Sequence, residues 1–241
     1  MAEGIALIPL TGIGEIEPGR ELARAVADAL APRREGGPTL ADGDVIVVTQ
    51  KVVSKAEGRL EPIDLDDPAA KTALVERESV RILRRRGDLI ISETEHGFIC
   101  ANAGVDLSNV AEGTAALLPE DPDRSARRIR SALRHYCGAD VGVIISDTFG
   151  RTWRRGVTDV AIGCAGVAAV IDLRGSLDAN GRELVATEVC VADELAAAAE
   201  LVMGKDLGIP AAIVRGVPAA WLRPASVRQE ITRPPDEDLF R

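Results

Sequence analysis

The sequence has few aromatic residues. Its 241 residues include three Phe, two Trp and one Tyr, about 2% of the chain. Proteins that bind single-stranded nucleic acid stack the bases on aromatic side chains, which this composition can hardly supply. The 38 acidic and 29 basic residues give a formal net charge of −9, and such a field repels polyanions. We therefore expect neither a nucleic acid nor a membrane surface as a partner.

Closely spaced cysteines and long apolar runs are also absent. Cys100, Cys137, Cys164 and Cys190 lie far apart, so no CxxC motif indicates a zinc site or a redox pair. We expect four buried free thiols. The longest uncharged run, 160–171, is too short to cross a bilayer, and the first residues lack the basic flank of a secretory signal. These features predict a soluble, cytoplasmic protein.

Three common nucleotide-site and hydrolase motifs are missing as well. The sequence contains no P-loop, no Rossmann glycine fingerprint and no GxSxG elbow, so it supports neither a standard NTPase, a dinucleotide dehydrogenase nor an α/β-hydrolase. Any nucleotide must bind on another scaffold.

Apolar runs of strand length alternate with amphipathic segments along the chain. The pattern predicts an α+β fold with more than one β-sheet, forming a single domain over 1–241 that is either undivided or built of two interleaved subdomains. We expect the Arg84-Arg85-Arg86 run to be a solvated helix end, with phosphate binding as the alternative. Strands are predicted at 5–9, 45–49, 89–92, 97–100, 141–146 and 211–214. Helices are predicted at 20–31, 68–86, 124–136 and 192–203, and a hairpin turn at Asn180-Gly181.

Three segments carry polar side chains suited to chemistry. In the first, 43–55, a β-branched run ends in Gln50, Lys51 and Lys55. The carboxyl ends of strands in α/β proteins commonly hold ligands, and ammonium groups there can balance phosphate charge. A strand followed by a solvated basic loop explains the same residues equally well.

The second segment, 96–110, contains Asp106, Ser108 and Asn109. Their oxygens and amide suit a divalent cation or a ribose, although an ordinary Asx turn has the same composition.

In the third segment, 146–156, Asp147 and Thr148 follow the apolar run VGVII. An unpaired acid at the end of a buried strand is costly, so we expect partner charges or one or two magnesium or manganese ions there. We expect Trp153 to be a packing residue. The arginines of this segment can hold phosphate or carboxylate groups in bidentate fashion: Arg151, Arg154 and Arg155.

Five segments in one order resemble the coenzyme F420:L-glutamate ligase family. They are GDVIVVTQKVVSKAEGR, HGFICANAGVDLSNV, SDTFGRTWRRGVTDVAIGCAG, DANGREL and ADELAAAAELVMGK. Together they span almost the whole chain. Some members of the family carry an additional nitroreductase-like domain, and this sequence is similar to the stand-alone form.

The resemblance implies a GTP-dependent ligase. Such an enzyme adds L-glutamate to the lactyl carboxylate of the deazaflavin coenzyme F420-0, then adds further γ-linked glutamates, and releases GDP and phosphate. The resemblance also implies two divalent cations, manganese or magnesium, a mixed α/β fold particular to the family, and an intertwined homodimer. The alternatives are a related amide ligase that glutamylates a different acid and a non-catalytic nucleotide-binding module.

The resemblance also assigns roles to residues. Asp106 and Asp147 would hold the first cation and Thr148 would help to hold the second, while Asp147 and Lys55 would be catalytic. Family members often carry an acid or an amide at the position of Lys205, so the remaining ligands of the second cation stay open. The substrate's phosphate or carboxylates would be held by Arg151, Arg154 and Arg155. The nucleotide would be contacted by Ile13, Gly14, Glu15, Ile16, Gln50, Lys51, Lys55, Asn109, Gly204, Lys205 and Asp206.

Overall fold

The fold combines one large sheet with several small ones. A computed structural model describes residues 4–31 and 33–239. Its strands are β1 (Ala6–Pro9), β2 (Val45–Thr49), β3 (Leu60–Pro62), β4 (Arg81–Arg86), β5 (Leu89–Glu93), β6 (Ile99–Ala101), β7 (Thr114–Ala116), β8 (Gly142–Gly150), β9 (Val157–Ala165), β10 (Ile171–Asp172), β11 (Glu188–Val189) and β12 (Ala211–Arg215). Its α-helices are α1 (Leu22–Ala29), α2 (Gln50–Ala56), α3 (Ala70–Arg77), α4 (Pro122–Cys137), α5 (Val191–Met203) and α6 (Val227–Glu230).

The large sheet has the strand order β1-β12-β2-β8-β9. β2 and β8 are parallel, whereas the other neighbours are antiparallel. The β-branched run of β2 is buried from Val45 to Val48, as expected for a strand that is covered on both faces. Thr49 pairs with Ser146. The carboxyl ends of β2 and β8 therefore meet at one edge of the sheet.

Helices cover both faces of this sheet. Ile46 and Val48 belong to a core that includes Leu133 of α4, whereas Val45 belongs to a second core with Leu195 of α5. This alternation follows from the two-residue period of a strand. Burying a side chain of this size stabilises the fold by about 1.5–3 kcal/mol, so the two cores hold the edge of the sheet rigidly.

A smaller region lies between α2 and α4. It contains the β3–β7 pair and the β4-β5-β6 sheet, and its own core includes Val75, Ile90, Val105 and Leu117. Asp106 follows directly on Val105 in the chain and bridges to Ala116. The small core thus positions the loop that begins at Asp106.

The prediction of a helix over 68–86 is wrong for its second half. α3 ends at Arg77, and Arg84, Arg85 and Arg86 lie on the edge strand β4, paired with β5. Ser79 lies between α3 and β4, and its hydroxyl hydrogen-bonds to Val75 O in α3 (2.6 Å) and to Ser92 Oγ in β5 (2.8 Å). Ser79 therefore connects the end of the helix to the neighbouring sheet. Pairing with β5 outweighs the helix propensity of arginine, and the charges discourage further strand pairing at this edge.

The other predicted elements are confirmed with small shifts at their ends. At the predicted hairpin turn, the Gly181 N–H donates to Asp178 O (3.0 Å). The cysteines are free as predicted, but Cys137 and Cys190 are only partly buried. Within 4–31 and 33–239, the helices are too short or too polar to cross a bilayer.

Candidate functional site

A cavity of about 930 Å³ lies at the edge where β2 and β8 end. Its volume is within the range of small-molecule sites, roughly 300–1,000 Å³. The cavity brings most of the predicted site residues together, because its lining includes Gly14, Glu15, Ile16, Gln50, Lys51, Lys55, Asp106, Asn109, Asp147, Thr148, Gly204, Lys205 and Asp206. Ile13 is instead buried in the core, and Arg151, Arg154 and Arg155 lie outside the lining.

Lys51 and Asp106 form an ion pair on one side of the cavity. The Lys51 ammonium lies 2.7 Å from Asp106 Oδ2 and also donates to the backbone oxygen (2.5 Å) and hydroxyl (2.7 Å) of Ser108. Burial alone would raise the pKa of Asp106, but the hydrogen bonds from Lys51 and Ser108 outweigh it and hold that pKa below its ordinary value. Asp106 is therefore an ionised carboxylate at neutral pH.

Asp147 is an acid of the cavity whose pKa lies above its ordinary value. Burial raises its pKa to about 7, the Asp159 and Asp106 carboxylates add to this, and the Thr148 N–H and the Lys205 ammonium oppose it. The Asp147 carboxylate accepts a hydrogen bond from the Thr148 N–H (2.8 Å), and no second donor to it occurs among the described residues. Clustered carboxylates of this kind are stabilised by a cation.

A buried acid that sequence reasoning missed lies beside Asp147. Asp159 on β9 is 4% exposed and pairs across the hairpin with Thr148. Its carboxylate accepts hydrogen bonds from the hydroxyls of Ser146 (2.9 Å) and Thr148 (2.6 Å). The Lys205 ammonium in turn donates to Thr148 Oγ1. An acid within the apolar run VTDVAIG is the signal that could have identified Asp159.

The α2 helix holds two predicted residues in different ways. Lys55 is nearly buried and pairs with Glu15. Gln50 is 2% exposed, and its amide donates to Ser54 Oγ (2.6 Å) and Leu117 O (2.9 Å). The Gln50 side chain therefore anchors α2 to the small region, whereas Lys55 places a positive charge at the cavity wall.

The loop after α5 closes one side of the cavity. Gly204 adopts a φ of 57° at the end of α5, in the region that favours glycine, and the chain then turns across the cavity through Lys205 and Asp206. The Asn109 amide donates to the backbone oxygen of Lys205 (3.4 Å). Two loops predicted to contact one ligand are thus in contact with each other.

The tip of the β8–β9 hairpin projects into solvent. The guanidinium of Arg151 donates to Arg155 O (3.1 Å) and the Arg154 N–H donates to Arg151 O (3.3 Å), so one side-chain and one backbone hydrogen bond hold the turn. The prediction that Trp153 packs in the interior is wrong, because its side chain is 89% exposed. It lies at a turn with φ 66°, and the turn directs the side chain away from the cores.

The donor set of the cavity suits a hard cation. Magnesium is typically held by one or two carboxylates together with substrate phosphates and water, and Asp106 and Asp147 provide such carboxylates at the cavity lining. Within the described ranges, no three His, Cys, Asp or Glu side chains converge as a complete metal cluster. Phosphate oxygens of a ligand would therefore have to complete the coordination.

The chain is similar to known proteins over most of its length. Residues 12–216 match the model of the family described as F420-0:Gamma-glutamyl ligase. The chain is 45% identical to the coenzyme F420:L-glutamate ligase of Methanothermobacter thermautotrophicus, over 99% of both chains. It is 45% identical to the protein of the same name from Methanopyrus kandleri over 94% of both chains. The corresponding protein of Methanocaldococcus jannaschii is 41% identical over 83% of this chain and 85% of its own length.

Proposed function

The chain belongs to the F420-0:gamma-glutamyl ligase family, and from this premise we propose that it is a ligase that joins L-glutamate to coenzyme F420-0. We further propose that GTP drives the reaction, that the lactyl carboxylate is the first acceptor, and that later glutamates are added through γ-linkages. The observation that carries the proposal is the cavity itself, where Asp106, Asp147, Lys51 and Lys55 meet at the ends of β2 and β8.

The reaction needs activation of the acid, because a carboxylate is a poor electrophile. In the proposed first step, a lactyl carboxylate oxygen attacks the γ-phosphorus of GTP, and the bond from that phosphorus to GDP breaks. An acyl phosphate results. The amine of glutamate then attacks the acyl carbon, phosphate leaves with the bonding electrons, and the amine loses a proton. No protein nucleophile takes part, in keeping with cysteines whose pKa is raised by burial.

The lysines provide positive charge for the phosphates. Lys55 is held against Glu15, and Lys51 is held by Asp106 and Ser108. Ammonium groups that are already fixed in place stabilise charge on the transferring phosphoryl oxygens without reorganisation. We therefore propose Lys55 as a catalytic residue and Lys51 as a phosphate-binding residue.

Asp106 and Asp147 are the proposed holders of magnesium or manganese. When bound there, the cation would neutralise the repulsion between nucleotide and carboxylate and would polarise the phosphoryl oxygens. Asp147 must be ionised to bind it, and its pKa of about 7 allows this at neutral pH.

Arg151, Arg154 and Arg155 are proposed to hold the phosphate or carboxylates of the acceptor. All three are exposed on the hairpin that carries Asp147 and Thr148. Guanidinium groups bind such anions in a bidentate manner. The intertwined homodimer stays a prediction, which light scattering of the purified chain would test.

The decisive assay mixes the chain with GTP, manganese, L-glutamate and coenzyme F420-0. We expect mass increments of one glutamyl unit on the acceptor together with release of GDP. Asp147→Ala should abolish the product, whereas Asp172→Ala, an exposed acid outside the cavity, should not. GTP cleavage with glutamylation of another acid, but not of F420-0, would contradict the proposed acceptor. Product formation by Asp147→Ala would contradict the cation site.

A further inference from the structure

Lys205 lies where the second cation implied by the family would bind. Its ammonium donates to the hydroxyl oxygen of Thr148, the residue expected to help hold that cation. We infer that in this chain the Lys205 ammonium takes the place of the second divalent cation, so that the site binds one manganese or magnesium ion per chain. This inference rests on the proposed function of the cavity.

The Thr148 hydroxyl is already engaged. It donates its hydrogen to Asp159 Oδ1 (2.6 Å), and its oxygen accepts from Lys205. The other carboxylate oxygen of Asp159 accepts from Ser146 (2.9 Å). A divalent cation at Thr148 would share one oxygen with an ammonium group, and like charges within about 4 Å repel each other strongly.

Lys205 cannot itself become a ligand. An ammonium group has three donors and no lone pair, so the side chain supplies charge but no coordination. A neutral amide or a carboxylate at the same position would supply an oxygen ligand but no positive charge. The identity of residue 205 therefore decides whether this side of the cavity carries a side-chain ammonium or an exchangeable cation.

The other side of the cavity differs in this respect. Lys51 donates to Asp106 and to both oxygens of Ser108, and its side chain is 15% exposed. Asp106 is an ionised carboxylate, so it attracts a cation as well as the Lys51 ammonium, whereas the Thr148 hydroxyl is neutral and has already donated its hydrogen to Asp159. Asp147 accepts only the Thr148 N–H from the described residues, which leaves it available for one cation.

Counting manganese ions tests the inference. The whole chain is dialysed against manganese in the presence of GDP, bound metal is measured by mass spectrometry, and the electron paramagnetic resonance spectrum is recorded. We expect one ion per wild-type chain and the signal of an isolated ion. Lys205→Gln removes the ammonium and provides an amide oxygen. It should bind a second ion at least about tenfold more tightly than wild type and give the spectrum of a coupled pair.

Matched variants separate charge from position. Lys205→Arg keeps the positive charge and should bind one ion, as should Lys71→Gln, which removes a lysine outside the cavity. Asp206→Asn and Glu200→Gln alter two further acids of the lining and should leave the count at one. Two ions in the wild type, or one ion in Lys205→Gln, would overturn the inference.

The same experiment distinguishes this inference from the proposed function, because the count requires no acceptor. Two ions in a wild-type chain that glutamylates F420-0 would contradict the inference alone. One ion in a wild-type chain that makes no glutamylated product supports the inference and contradicts the proposed reaction. Absence of any bound ion would contradict both.

Discussion

The β8–β9 hairpin has two halves of opposite character. In the inner half, Asp147, Thr148 and Asp159 are buried or partly buried and held by hydrogen bonds. In the outer half, at 150–157, the side chains are exposed, and the turn is held by hydrogen bonds from the Arg151 guanidinium and the Arg154 N–H to backbone oxygens. One strand pair therefore provides both acids held by hydrogen bonds and arginines exposed to solvent. Substitutions in the inner half should therefore have large effects, and those at the tip should have graded ones.

Asp147→Ala tests the inner half most severely. It removes a proposed cation ligand, so we expect turnover of F420-0 to fall by about 10³-fold or more. Product masses in timed reactions would measure the loss, with Asp172→Ala as the surface control. A decrease of less than tenfold would place the cation elsewhere.

Asp159→Asn should have the next largest effect. The amide can accept from only one of the two hydroxyls that the carboxylate now binds, so Thr148 loses its fixed orientation. We expect turnover to fall by about 10- to 100-fold and stability by about 1–3 kcal/mol. Kinetics and urea unfolding would measure the two effects. Wild-type turnover would show that Asp159 has no positioning role.

Asp147→Asn should stabilise the metal-free chain in a pH-dependent manner. The folded-state pKa of about 7 exceeds the ordinary 3.8, so ionisation of Asp147 destabilises the fold as the pH rises from about 4 to about 7. The neighbouring carboxylates of Asp159 and Asp106 increase this cost, and the Lys205 ammonium reduces it. The advantage of the variant should grow by about 2 kcal/mol between pH 5 and pH 8. Urea unfolding with chelator at both pH values would measure it, and an advantage independent of pH would contradict the assigned pKa.

Removal of charge from the tip should affect the acceptor and leave the chemistry unchanged. For the double variant Arg154→Ala with Arg155→Ala, we expect the KM for F420-0 to rise by about tenfold, because this is the effect of losing one charge-assisted hydrogen bond. The kcat should stay nearly unchanged. The matched control is Arg84→Ala with Arg86→Ala on β4, which removes the same charge from a different sheet. An equal rise of KM in both double variants would indicate that the overall charge of the protein attracts F420-0, and it would contradict an acceptor site at the hairpin tip.

Trp153→Ala should have the smallest effect on the fold. The exposed side chain makes little contribution to a core, so stability should change by less than about 0.5 kcal/mol. Ile162→Ala, at a buried position of the same hairpin, should cost about 2–5 kcal/mol. Thermal unfolding of both variants would sharpen the contrast, and a large loss with Trp153→Ala would contradict it.

The sequence predicts the parts of this fold that are governed by local pattern. The runs at Val45–Thr49 and in β8 are β-branched and buried, so their strands could be predicted, and with them the edge at which Lys51 and Asp147 meet. The same reasoning fails at Arg81–Arg86, where the sequence RILRRR has no alternating strand pattern and only pairing with β5 decides the structure.

The site was predicted less completely for a similar reason. Asp147 follows a strand-like run and Asp106 belongs to a polar loop with Ser108 and Asn109, so both could be recognised, whereas Asp159 becomes significant only through its register opposite Thr148. Lys205 belongs to the predicted loop, but its contact with Thr148 depends on the path of the chain after α5. The register of distant strands and the path of a loop depend on tertiary packing, so they cannot be predicted from a short stretch of sequence.

The position of β12 has a consequence for synthesis of the chain. This strand separates β1 from β2 and pairs with both, although it is the last of the strands to be translated. On the ribosome, the amino-terminal strand must wait without its neighbour until residue 215 has emerged from the exit tunnel. Strand partners this remote in sequence slow folding, and unpaired strand edges attract other chains, so nascent molecules of this protein should depend on chaperones until β12 is inserted.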